Sequence, residues 1–269
     1  MPFVELPHTT LYYDLFERNI TQPASPQTLL LLHGFAGTPG SDFAEQIPHL
    51  LSEYSILAPH LHGNGRSSHR HSYTTSYYRE DVADMVALLD ALQLSRVLVL
   101  GFSDGAIVGL LLAALYPQRV TALAIHGAQP TINERDVTAI RHWLLEQPLA
   151  AEWQAQLAQL HGEPYWRSLL PMYVKVQEEL VVAGGTLITD EELAAIRCPV
   201  LVMHGTRDRI VAVEYAYAIH QHIPGSQLLL FNATLHTFVA RDEETSDSCG
   251  RRHQSQCHSS RQAGRSLLE

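Results

Sequence analysis

The chain has 269 residues, enough to bury a sizeable core in one large domain. Its formal charge of −10, from 18 basic and 28 acidic side chains, removes the electrostatic case for nucleic acid or an anionic membrane as a partner. Three cysteines, an odd count with two in a polar tail, argue against a disulfide framework. No uninterrupted apolar run is long enough to span a bilayer, and Met1-Pro2-Phe3-Val4-Glu5 lacks the basic and apolar regions of a signal peptide. A cytoplasmic protein is therefore the expectation, as monomer or homodimer, with no membrane partner.

From the N-terminus, residues 3–16 alternate in polarity and predict a β-hairpin at a sheet edge. The segment 21–26 reads as a turn by composition. Thr28-Leu29-Leu30-Leu31-Leu32 is apolar on both faces, as a strand buried in a parallel sheet must be, and runs into His33-Gly34-Phe35-Ala36-Gly37. A helix is expected from an N-cap at Asp42 to Leu51, and then a strand over Ser55-Ile56-Leu57-Ala58-Pro59. Apolar residues at 82, 85, 86, 89 and 92 place a helical face over 77–92. Val97 to Leu100 is the next strand, followed by a Leu- and Ala-rich helix, and Val120 to Ile125 the one after. Such alternation predicts a mostly parallel central sheet with helices on both faces.

Residues 130–194 break the rhythm with helical, Gln- and Ala-rich sequence holding Trp143, Trp153, Tyr165, Trp166, Met172 and Tyr173. They read as an inserted helical cap on a core formed by residues 1–129 and 195–241. Trp143, Trp166 and Tyr173 would then offer a substrate-facing wall; helix–helix packing is the plainer use of the tryptophans. The sheet resumes over Cys198 to Met203, with a helix over 212–222 and a last strand over Gln227 to Phe231. Residues 242–269 are polar and carry no amphipathic pattern, so a disordered tail is expected. Its Cys249, His253, Cys257 and His258 match no closed zinc-site spacing, and no metal or other cofactor is expected.

The chemistry concentrates where strands end. Gly101-Phe102-Ser103-Asp104-Gly105 is a Gly-x-Ser-x-Gly turn between a strand and a helix. At such a turn the serine backbone is strained, and glycines let strand and helix approach. Asp208 and His236 follow later strands, so the sheet would carry Ser103, Asp208 and His236 to one edge. A serine hydroxyl needs a base as it attacks, here His236, and Asp208 would hold that imidazole's tautomer. The strand ending at Ile125 is followed by Ala128-Gln129, which offers no rival carboxylate, and Ile210-Val211 separates Asp208 from the helix it would otherwise cap. The backbone N–H groups of Phe35 and Asp104 would form the oxyanion hole, with His33 shaping its loop by hydrogen bonding and not acting as a base. The Asp104 side chain is either solvated beside the turn or a substrate contact.

The Ser…Asp…His order, the residue 33–37 loop and the Gly-x-Ser-x-Gly turn resemble the α/β-hydrolase superfamily over residues 3–241. Gly101-Phe102-Ser103-Asp104-Gly105, His204-Gly205-Thr206-Arg207-Asp208 and His126-Gly127-Ala128 are most similar to the valacyclovir hydrolase (biphenyl hydrolase-like) group of serine esterases. That resemblance implies an α/β-hydrolase fold and a small-molecule ester substrate cleaved through an acyl-enzyme on Ser103. It also implies binding of the α-amino group of an aminoacyl ester by the acid after the nucleophile, Asp104. The same triad would serve a thioester, lactone or carbon–carbon bond hydrolase, and the fold alone would serve a non-catalytic binding protein. Two features depart from the group. His60 and His62 stand where an Asp and an Arg are usual, and the tail after Arg241 lacks the helix expected beyond the catalytic histidine.

Overall fold

The computed structural model describes residues 2–18 and 27–232, all within one compact unit, Met1–Val239. The turn expected at 21–26, the base His236 and the tail at 242–269 lie outside the described residues. Among the described residues the strands are β1 Phe3–Glu5, β2 Thr10–Phe16, β3 Thr28–Leu32, β4 Ser55–Pro59, β5 Val97–Phe102, β6 Val120–His126, β7 Val200–Gly205 and β8 Gln227–Phe231. They form one sheet in the order β1-β2-β4-β3-β5-β6-β7-β8. The first two make the expected antiparallel edge hairpin, and every pairing from β4 to β8 is parallel.

The strands read as continuous apolar runs because both faces of the sheet are covered. Successive side chains alternate between faces. Leu30, Leu32, Val97 and Val99 enter a large core shared with the helices α3 Tyr77–Ala91 and α4 Asp104–Leu115. Leu29, Leu31, Leu98 and Leu100 enter a second cluster with Phe43, against which Ile47 and Leu50 pack. Between β6 and β7 lie α5 Glu134–Arg141, a π-helical turn His142–Glu146, α6 Ala151–His161, α7 Tyr165–Val182 and α8 Asp190–Ala195. The helix α9, Val213–His222, precedes β8.

One helix differs from expectation. Residues 39–50 hold two short helices, α1 Pro39–Asp42 and α2 Gln46–Leu50, and Asp42 caps neither. Thr38 begins α1 instead. Its hydroxyl accepts the Ser41 N–H at 3.2 Å, Ser41 returns the bond in a capping box, and Pro39 supplies a helical φ at no hydrogen-bond cost. Asp42 is thereby released for another task.

Candidate active site

The Ser103 turn is built from three constraints. Ser103 sits at φ 52 and ψ −121 as the N-cap of α4, a left-handed conformation that non-glycine residues adopt only when their surroundings enforce it. Its own N–H donates to the His126 carbonyl at 2.9 Å, so β6 holds the turn from one side. The flanking glycines are sterically required. A Cβ on Gly101 would lie 2.6 Å from the Gly105 carbonyl oxygen, and one on Gly105 would lie 2.2 Å from that of Leu32. Asp104, at the first position of α4, presents its N–H among the helix-terminal amides that attract negative charge.

The residue 33–37 loop lies directly against this turn. A Cβ on Gly34 would be 3.1 Å from the Ser103 Cβ and 3.2 Å from the Phe102 ring. The loop is pinned at several points. The Gly34 N–H donates to Asp42 Oδ2 at 2.9 Å, the task for which Asp42 was released. His33 Nδ1 donates to the Gly34 carbonyl at 2.7 Å, while His33 Nε2 accepts the Leu61 N–H at 2.9 Å. These two bonds fix one neutral tautomer, and complete burial pushes the His33 pKa down to about 3. Because a peptide unit is planar, holding the Gly34 carbonyl aims the Phe35 N–H the opposite way.

The Asp104 carboxylate is buried rather than solvated, contrary to the first of the two expectations for it. It is 8% exposed and accepts from the Tyr173 hydroxyl at 2.8 Å, the Tyr78 hydroxyl at 3.0 Å and the Tyr77 hydroxyl at 3.2 Å. Gln177 Nε2 donates in turn to the Tyr77 hydroxyl at 3.0 Å. Burial, and then the Asp104 charge, hold all three phenols well above their ordinary pKa, so they act as O–H donors. Tyr173 also stacks on Phe35, ring centroids 3.6 Å apart, and so joins the two halves of the site. Sequence reading missed Tyr77, Tyr78 and Gln177. A signal existed for the first two: α3 precedes a parallel strand, which brings its first residues to the edge where the strands end.

Asp208 lies after β7 with a fully buried side chain. Its Oδ1 accepts the N–H groups of Ile210 at 2.8 Å and Val211 at 3.0 Å, and its Oδ2 stands 3.9 Å from His204 Nε2. The N-cap of α9 is Ala212, so Asp208 does not serve as that cap. The described contacts draw the other aromatic candidates elsewhere: Trp143 stacks on Trp153, and the buried Trp166 donates its indole N–H to Glu163 at 2.6 Å. His60, where the similar group carries an acid, is buried and accepts the Arg66 N–H through Nδ1 at 3.0 Å, and burial lowers its pKa to about 4. Among the described residues no cluster of side chains suits a metal ion, and no helix is long and apolar enough to cross a membrane.

Comparison with known proteins gives the same fold. Residues 27–164 match the profile of the alpha/beta hydrolase fold. The chain is 28% identical over 222 residues to a human protein named serine hydrolase BPHL, covering 79% of this chain and 74% of that one. It is 26% identical over 243 residues to the 2-hydroxy-6-oxo-2,4-heptadienoate hydrolase of Pseudomonas putida, covering 82% and 86%. The solved structure of a hydrolase from Pseudomonas aeruginosa superposes with a TM-score of 0.65 at 24% identity, covering 87% of this chain and 90% of that one. From the sheet order, the strained serine turn and the matched profile together, the chain belongs to the α/β-hydrolase family.

Proposed function

We propose that the chain is a serine hydrolase of small carboxylic esters, with Ser103 as nucleophile, His236 as general base and Asp208 as the acid that orients it. The observation that carries this reading is the left-handed Ser103 at the N-terminus of α4, with the Gly34 loop packed against it. In the first half-reaction Ser103 Oγ bonds to the substrate carbonyl carbon and its proton passes to His236. The tetrahedral oxyanion is held by the N–H groups of Phe35 and Asp104. It collapses as the carbon–oxygen bond to the alcohol breaks and the alcohol leaves with that proton. Water then repeats the sequence on the acyl-enzyme, giving the acid and restoring Ser103. Asp208 Oδ1 accepts two backbone amides, which fix the orientation of the carboxylate that would hold the imidazole's tautomer.

The helices of residues 130–194 serve as the cap, and Tyr173 links the cap to the site through Asp104 and Phe35. An aminoacyl ester is the preferred substrate class. It rests on the resemblance of the Ser103 turn to the valacyclovir hydrolase group and on the buried carboxylate of Asp104, one residue from the nucleophile. Carbon–carbon bond hydrolysis with the same triad is the second reading, and a relative named 2-hydroxy-6-oxo-2,4-heptadienoate hydrolase keeps a substrate other than an ester open.

Labelling with a fluorophosphonate probe tests the reaction class. The parent is expected to label and Ser103→Ala to remain unlabelled; equal labelling, or none in the parent, refutes the serine mechanism. For the substrate class, aminoacyl and acetyl p-nitrophenyl esters are compared in parent and Asp104→Asn. A selective loss of the aminoacyl ester supports amine recognition, and an equal loss of both rejects it.

A further inference from the structure

One buried histidine outside the proposed triad touches both the 33–37 loop and the 60–67 loop. His161 ends α6, is 3% exposed, and spends both ring nitrogens on backbone groups far away in sequence. Its Nδ1 accepts the Gly65 N–H at 2.9 Å, so the proton sits on Nε2, which donates to the Ala36 carbonyl at 2.9 Å. The bonds admit one neutral tautomer, and burial lowers the His161 pKa in the same direction.

The two partners share an unusual backbone. Ala36 and Gly65 both have φ 56. For Gly65 this conformation is easy, and a Cβ there would strike His60 Nδ1 at 1.9 Å. For Ala36 it is strained. Ala36 is the third residue of a turn closed by Gly37 N–H to the Gly34 carbonyl at 3.2 Å, a position where φ above zero favours glycine. An alanine stays there only when its surroundings over-determine it, and the His161 bond to its carbonyl is such a restraint. If the turn relaxes, the Gly34 carbonyl shifts, and the Phe35 N–H in the same planar peptide shifts with it.

We propose that His161 is a positioning residue of the oxyanion loop: from the end of α6 it holds Ala36 in the left-handed turn, ties that turn to the 60–67 loop, and so aims the Phe35 N–H. It touches neither Ser103 nor substrate, and its effect on rate rests on the serine-hydrolase reading above. The restraint on the loop does not, and the two are separable by experiment.

The test uses the full chain, with His161→Phe, which keeps ring volume without nitrogens, and His161→Gln, whose amide presents an acceptor and a donor on one head group. Hydrogen–deuterium exchange is read at residues 34–37 and at β5, and turnover is read with p-nitrophenyl acetate. In His161→Phe, exchange at 34–37 rises about tenfold or more while β5 is unchanged. In the same variant kcat falls by about 10- to 100-fold with KM within about twofold, because the misaimed donor matters mainly in the transition state. His161→Gln stays within about threefold of the parent in both measurements. Unchanged exchange in His161→Phe, an equal rise in β5, or a kcat loss that His161→Gln shares overturns the assignment. Should His161→Phe not fold, His161→Gln decides alone: parent-like exchange and turnover support the role, and a loss of either refutes it. Should the parent show no Ser103-dependent turnover, the hydrolase reading fails and the exchange data alone decide on His161.

Discussion

Replacing Gly105 with alanine inserts one methyl group where β3 and α4 touch. The added Cβ would meet three backbone atoms, Leu32 O at 2.2 Å, Leu32 C at 2.4 Å and His33 O at 2.6 Å. None of them can rotate aside, so α4 must retreat from β3 by about 1 Å to reach ordinary contact. Overpacking of this kind costs about 3 kcal/mol, the upper part of its usual range, because backbone opposes backbone. The same retreat carries Ser103 away from the Gly34 loop, and a displacement near 1 Å costs about 100-fold in rate. Gly109→Ala is the control. There the Cβ would meet only side-chain methyls, Leu123 Cδ1 at 3.2 Å and Val99 Cγ1 at 3.3 Å, and alanine favours the helix by about 1 kcal/mol. The assay pairs urea unfolding midpoints with the rate of fluorophosphonate labelling. Gly105→Ala should lose both stability and labelling, while Gly109→Ala stays near the parent. Parent-like behaviour of Gly105→Ala, or an equal fall in Gly109→Ala, would refute the steric argument.

Three further outcomes follow from the site. Asp42→Ala strips the carboxylate from the Gly34 N–H, and the lost charged hydrogen bond should cost about 1.5–3 kcal/mol in urea unfolding, together with slower turnover. Tyr173→Phe keeps the stack on Phe35 but removes the shortest phenol bond to Asp104. It should destabilise by about 1–2 kcal/mol, and an unchanged midpoint would show that the bond contributes nothing. Stability should fall on acidification below pH 6.5. Burial lowers His33 to about 3, His60 and His62 to about 4, and His161 in the same direction, so the unfolded chain binds these protons before the folded one does. Asp81 and Asp84, raised by burial to about 7 and about 6, act in the opposite sense, two protons against the three of His33, His60 and His62, with His161 adding to the histidine side. The unfolding midpoint at pH 5 should therefore lie below that at pH 7, and the reverse order would contradict the buried neutral histidines.

The strands were legible because a doubly covered parallel strand must be apolar throughout, and Leu29 to Leu32 and Val97 to Leu100 satisfy that on both faces. The Ser103 turn was legible because its demands are local: two glycines and a strained residue within five positions. The start of α1 was misplaced although its signals, Thr38, Pro39 and Ser41, stand in the sequence; the acid at Asp42 looked like a cap and proved to hold a loop. The surroundings of Asp104 had no local trace. Its phenol donors lie 26, 27 and 69 positions away, and only packing of α3 and α7 brings them to one carboxylate. His161 was hidden for the same reason, because its partners are backbone groups, which leave no residue-type signature.

The register of the sheet bears on how such a site comes into being. Leu29 to Leu32 of β3 pair in parallel with Leu98 to Gly101 of β5, while β4, which lies between them in the chain, docks on the other side of β3. The Ser103 turn and the Gly34 loop therefore meet only after a long excursion through β4 and α3 has closed, a step that is entropically expensive and slow. No fragment of the chain that lacks either strand can bring them together. Under the serine-hydrolase reading, the onset of Ser103 labelling during refolding would then report the pairing of β3 with β5.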